Sequence, residues 1–130
     1  MLPVFHAACV TVENNEDCIL VGFADRRFDT TCYLMFQRAH EFDEQDHRTG
    51  MAAVYVERDD PRWSGYGGMK RCELLRDRIR LYFDESGAAK MEGIRTMEVS
   101  FEITPQQMEA LREGLRQCFS GFEYYVDGAA

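Results

Sequence analysis

Hydrophobic positions recur every second residue over most of the chain and shift to a period near 3.6 after Thr104. Period two predicts strands. The β-branched stretch 4–12 ends in Glu13-Asn-Asn-Glu-Asp17, a turn signal, and 18–24 then reads as the second arm of a hairpin. Asp25-Arg-Arg-Phe-Asp29 marks another break. The continuous apolar run 31–37 that follows reads as a strand because of its Thr, Tyr and Phe content. Residues 40–50 are polar and acidic and read as a loop. Alternation resumes over 51–57, with Ala52, Val54 and Val56 on one face. Arg58-Asp-Asp-Pro61 and Ser64-Gly-Tyr-Gly-Gly68 read as turns on either side of Trp63. A hairpin is predicted from 71–75 and 78–83, and a short helix over 84–91, weakened by Gly87. The segment 96–103 alternates without a fault. Met97, Val99, Phe101 and Ile103 point inward, and Glu98 and Glu102 on the wet face are placed to pair with Arg78 and Arg80.

Thr104-Pro-Gln-Gln107 combines an N-cap, a first-turn proline and the third-position Gln of a capping box, so a helix starts there. Its apolar stripe is Met108, Leu111, Leu115, Cys118 and Phe119, and Gly121 is placed to end it. The tail 122–126 reads either as an edge strand or as docked aromatics. These elements predict one α+β domain over 1–130: a mainly antiparallel, twisted sheet of about six or seven strands with the C-terminal amphipathic helix packed across one face.

Composition narrows the functional class. In 130 residues, 23 Asp and Glu stand against 15 Lys and Arg, a net charge of -8. Nucleic-acid and anionic-membrane binding both require a basic surface, so neither is expected. The chain start, Met1-Leu-Pro-Val-Phe-His, has no basic segment ahead of an apolar run, and no stretch approaches the roughly 20 apolar residues of a spanning helix. Five scattered cysteines without a Cys-x-x-Cys pair read as buried free thiols in a reducing, cytoplasmic compartment. Glu41, Asp43, Glu44, Asp46, Glu57, Asp59 and Asp60, against Arg38, Arg48 and Arg58, carry a net of -4 between positions 38 and 60, half of the chain's total.

Candidate chemistry is sparse. His40-Glu-Phe-Asp-Glu-Gln-Asp-His47 holds the residue types of a metal site, but the second His lies seven positions after the first, and the His-Glu-x-x-His helix face requires four. A solvated or partner-binding acidic loop is the main reading. A small metal-dependent enzyme using His40 and His47 is the alternative. No Gly-x-Ser-x-Gly elbow or comparable nucleophile signature occurs, so no catalytic residue, metal ligand or cofactor is assigned. Ser64-Gly-Tyr-Gly-Gly68 leads into Met69-Lys-Arg rather than into Gly-Lys-Ser/Thr and a helix, which removes the phosphate-loop reading. Its glycines serve a tight turn that can also hold Trp63 and Tyr66 outward as interface anchors.

As an ordered set, Leu20-Val-Gly-Phe-Ala-Asp25, Tyr33-Leu-Met-Phe-Gln-Arg38, Glu41-Phe-Asp-Glu-Gln-Asp46 with Gly50-Met51, Tyr55-Val-Glu57 and Gly65-Tyr-Gly-Gly68 resemble the immunity protein 10 family of bacterial polymorphic toxin systems. The resemblance implies a small cytosolic protein, not an enzyme, that binds and blocks a cognate toxin. An acidic inhibitor suits a basic partner, and nuclease toxins are basic because they bind phosphate. On this reading Glu41, Asp43, Glu44 and Asp46, with Asp59, Asp60, Trp63 and Tyr66, form the partner-binding surface. The toxin's identity and the oligomeric state are left open.

Overall fold

Two five-stranded sheets turn their apolar faces toward a shared core. The structure, a computed structural model, describes residues 4–129, so Met1, Leu2, Pro3 and Ala130 lie outside it, including part of the chain start read above. The first sheet contains β1 (Val4–Ala7), β7 (Met69–Leu74), β8 (Arg78–Phe83), β9 (Thr96–Phe101) and β10 (Tyr125–Asp127), in the order β1-β9-β8-β7-β10. Its interior pairings are antiparallel, and both edge pairings are parallel. The second sheet is an antiparallel meander of β2 (Cys9–Asn14), β3 (Ile19–Ala24), β4 (Tyr33–Arg38), β5 (Tyr55–Arg58) and β6 (Asp60–Tyr66). Three helices accompany the strands among the described residues: α1 (Glu44–Thr49), α2 (Glu85–Lys90) and α3 (Pro105–Cys118).

The α+β class, the antiparallel bias and the C-terminal helix packed on a sheet all follow the pattern-based expectation. The strand count is higher, for three local reasons. The run 4–12 bends at Ala8, so its first half joins one sheet and its second half the other. The segment read as turns around Trp63 is strand β6, which tolerates Pro61 because it is an edge strand with a register irregularity beside Arg58. The tail does both things proposed for it. It forms edge strand β10, and Tyr124 and Tyr125 pack on Phe119 at 5.5 and 5.4 Å between ring centroids.

Helix α3 begins as its sequence dictates. The Thr104 side chain accepts from Gln107 N at 3.1 Å, and the Gln107 side chain accepts from Thr104 N at 2.9 Å. Its buried face, Leu111, Gly114, Leu115 and Cys118, lies against the inner sides of β2 and β3. Burial of Cys118 pushes its thiol up to about 12, and that of Cys72 is raised in the same way, so both are inert core groups. No helix among the described residues is long and apolar enough to cross a membrane.

The outward faces of the two sheets differ in charge chemistry. On the β1-containing sheet, Glu98 is only 6% exposed, because β9 lies between β1 and β8 and its carboxylate is covered by Arg78 and Arg80. The expected Glu98 pairings are present. Arg71 and Arg80 also reach Glu73, at 2.8 and 3.7 Å. Glu102 falls beyond the end of β9 and is exposed, with no ion pair among the described residues. On the meander sheet, register places Thr11 and Glu13 of β2, Leu20 and Gly22 of β3, Tyr33, Met35 and Gln37 of β4, Tyr55 and Glu57 of β5, and Ser64 and Tyr66 of β6 on the outer side. None of these is lysine or arginine; Arg62 of β6 shares their parity at the sheet edge, where it faces Asp60 at 3.5 Å.

Candidate functional site

The acidic segment is a helix with its own caps rather than the loop that its polarity suggested. Asp43 caps α1: its carboxylate accepts from Asp46 N at 2.8 Å, while Asp46 accepts from Asp43 N at 3.0 Å. A capping box built from two aspartates escapes the usual Ser/Thr-x-x-Glu/Gln signature, although the chemistry is the same. Gly50 closes the helix in the left-handed conformation at φ 77°. Two of the four acids singled out here therefore hold local structure, while Glu41 and Glu44 are exposed and make no ion pair among the described residues. Asp43→Ala is expected to cost about 1 kcal/mol locally. Amide hydrogen exchange should show faster exchange confined to α1, and an effect spread through the sheets would contradict that assignment.

The other candidates divide. Asp59, at φ 61°, is engaged inside the fold: Oδ1 accepts from Tyr33 N at 2.9 Å and Oδ2 pairs with the buried Arg58 at 2.7 Å. Arg58 also meets Glu92 Oε2 at 2.8 Å. Asp60 accepts from Arg62 N at 3.0 Å and faces the Arg62 guanidinium at 3.5 Å. Trp63 is half-buried, and strand alternation puts it on the opposite face of β6 from Tyr66, so the two do not form one exposed pair. Tyr66 is 39% exposed; the most exposed aromatic is Phe28, 77% exposed, within the 25–29 segment read only as a polar break.

The structure brings Asp46 and Tyr66 into one cleft of about 300 Å³, together with Asp17, Gln37, Met51 and Tyr55. Arg38 borders it, but its guanidinium is committed to backbone carbonyls. His40 and His47 have separate engagements. His40 Nε2 donates to the Asn15 carbonyl at 2.5 Å, and the His47 ring meets Phe42 edge-on with centroids 6.4 Å apart. Among the described residues, no group of three or more His, Cys, Asp or Glu side chains is gathered closely enough to hold a metal ion.

Next to the cleft lies a constellation that period and motif reading missed. Tyr33 OH donates to Glu57 Oε2 at 2.5 Å, and Tyr55 OH donates to Glu57 Oε1 at 2.5 Å. Burial first, then the hydrogen bond to Glu57, raises both phenols above their ordinary range, which keeps them protonated as donors. Tyr66 stands against Tyr55 with ring centroids 5.2 Å apart. The three partners come from strands β4, β5 and β6, so only the register unites them.

The arrangement contains acceptors, phenols and apolar surface, the components of a protein-docking face. Among curated proteins nothing matches the chain. The family model described as Immunity protein 10 matches residues 6–109, well over half of the chain. This family is one of immunity proteins of toxin systems, which implies a toxin as partner. On that match the chain, folded as two packed sheets with a C-terminal helix, belongs to the immunity protein 10 family.

Proposed function

We propose that the protein acts in the cytosol as a stoichiometric inhibitor that binds a basic, nuclease-like cognate toxin and neutralises it. The observation that carries this reading is charge placement. Half of the net -8 lies between positions 38 and 60, and Glu41 and Glu44 stand on the surface without internal ion pairs among the described residues. Such a field raises the association rate of a positively charged partner and orients its approach. The five cysteines, none in a disulfide, support a reducing compartment. Within this reading, Glu41 and Glu44 steer the toxin, Asp43 and Asp46 hold α1 in place for them, and Asp59, Asp60, Trp63 and Tyr66 shape the neighbouring edge.

Co-expression with the cognate toxin is expected to restore host growth. The charge test uses Glu41→Lys with Glu44→Lys, because reversing Asp43 or Asp46 would also break the capping box. The double variant is expected to bind roughly tenfold more slowly at low salt, with a flatter dependence on ionic strength and an unchanged urea midpoint. Stopped-flow association measured across a salt series checks this, and identical rates for variant and wild type would remove the electrostatic mechanism.

A further inference from the structure

The carboxylates on the outer side of the β1-containing sheet are matched by guanidinium groups: Glu98 by Arg78 and Arg80, Glu73 by Arg71 and Arg80. Glu57, on the outer face of the other sheet and one strand in from its β6 edge, is treated differently. Each of its oxygens accepts one tyrosine hydroxyl, and no Lys or Arg among the described residues comes within ion-pairing distance. Phenol donors hold the carboxylate rigidly in one orientation and leave its full charge uncompensated. Around it the face is apolar and indented. Gly22 leaves a hollow of about 220 Å³ beside Leu20, Met35 and Tyr33, and on the other side Tyr55 and Tyr66 wall the cleft that ends at Asp46 and Asp17.

We infer that this outer face of the β2–β6 sheet is the docking surface for the toxin, and that a toxin Arg or Lys side chain seats between Tyr55 and Tyr33 to pair with Glu57. The inference rests on the inhibitor reading above and adds the anchor that reading lacks. Charge complementarity selects the occupant. A face with a fixed carboxylate that no cation pairs, acidic ends, and one outward cation, Arg62 at the β6 edge, already facing Asp60, repels a second copy of this acidic chain and attracts a basic protein. The phenol rings give an incoming cation aromatic faces as well as a counter-charge, and the flanking Leu20 and Met35 exclude water around the pair, as at the centre of an interface hot spot.

Glu57→Gln, which preserves shape, and Met35→Arg, which places a like charge beside the incoming cation, test this with the purified cognate toxin domain as the probe. Each is expected to weaken binding by about 100-fold, mainly through faster dissociation, because a desolvated central pair acts on release while rim acids act on encounter. That signature separates them from Glu41→Lys with Glu44→Lys, whose effect falls on association. Sedimentation of the free variants and their urea midpoints should match wild type. If both variants dissociate from the toxin like wild type, the face is not the docking surface, although the inhibitor reading stands. If wild type itself neither binds nor protects, both fall. A change in self-association as the only effect would assign the face to a second copy and overturn the proposal.

Discussion

Gly87→Ala is expected to destabilise the protein by about 2–3 kcal/mol, although Ala is the better helix former by about 1 kcal/mol. The sign is decided by what faces the missing side chain. A Cβ at Gly87 would lie 2.0 Å from the Gly68 carbonyl oxygen and 2.9 Å from its Cα, and these are backbone atoms that no rotamer change can move aside. Gly68 itself is at φ 81°, and its carbonyl accepts from Asp84 N at 2.9 Å, the residue that caps α2. Making room means separating α2 from the β6–β7 turn. That strains or breaks this hydrogen bond and disturbs the seats of Ala88 and Met91, both buried. Urea unfolding should show a lower midpoint at unchanged slope, with the melting temperature down by roughly 10 °C. A midpoint at or above wild type would mean that Gly87 tolerates a side chain like any helix glycine and that the close approach is unimportant.

Arg38→Met is expected to cost about 3 kcal/mol, and Arg38→Lys roughly half of that. Arg38 ends β4 on the inner side at 9% exposure, with no carboxylate partner among the described residues. Its charge is balanced by dipoles and rings instead. Nη1 donates to Ser120 O at 2.8 Å and to Cys118 O at 3.3 Å, Nε donates to Ala39 O at 2.9 Å, and the guanidinium lies 4.4 Å from the Phe42 ring centre. Cys118 and Ser120 close α3, where the carbonyls left without helical partners carry the negative end of the helix dipole. Met removes the desolvation penalty of the cation, which works against the loss. The stranded carbonyl of buried Cys118 and the vacated stack on Phe42 outweigh that gain. Lys keeps the charge but supplies one donor point where a planar fork bridges several acceptors. Equilibrium unfolding of the three proteins, with amide exchange in the last turn of α3 and in β10, checks the order. Equal stability of Met and Arg would show that the desolvation penalty cancels the contacts.

Features governed by neighbours close in sequence were legible. The Thr104–Gln107 capping box, the stripe of α3 and the alternation of β9 each depend on spacings of two to four residues, and each appears where it was expected. Gly67 and Gly68 were legible as a turn, at φ 74° and 81°, whereas Gly65, read with them, lies inside β6. Gly87 was legible only as a weak helix former, because what requires a glycine there lies 19 positions away, in the backbone of Gly68. The two-sheet layout was hidden for a related cause. Ala8 looks like any small residue inside a β-branched run, and the bend there is selected by two sheets competing for the strand halves.

The surface charge divides along the same line. Composition and order alone determined that the chain is acidic, where along its length the acids concentrate and that an amphipathic helix closes the fold. Tertiary structure decided which acids are already engaged. Asp59 serves Arg58 and the Tyr33 amide, Asp43 and Asp46 serve each other, and Glu98 serves two arginines. Among the described residues Glu57 has only tyrosine hydroxyls, and Glu41 and Glu44 face solvent. A carboxylate's partner in a sheet is set by register and sheet order, which join positions as many as 26 residues apart, as for Asp59 and the Tyr33 amide. The sequence pattern shows that a charge exists, and only the closed fold shows whether it is compensated.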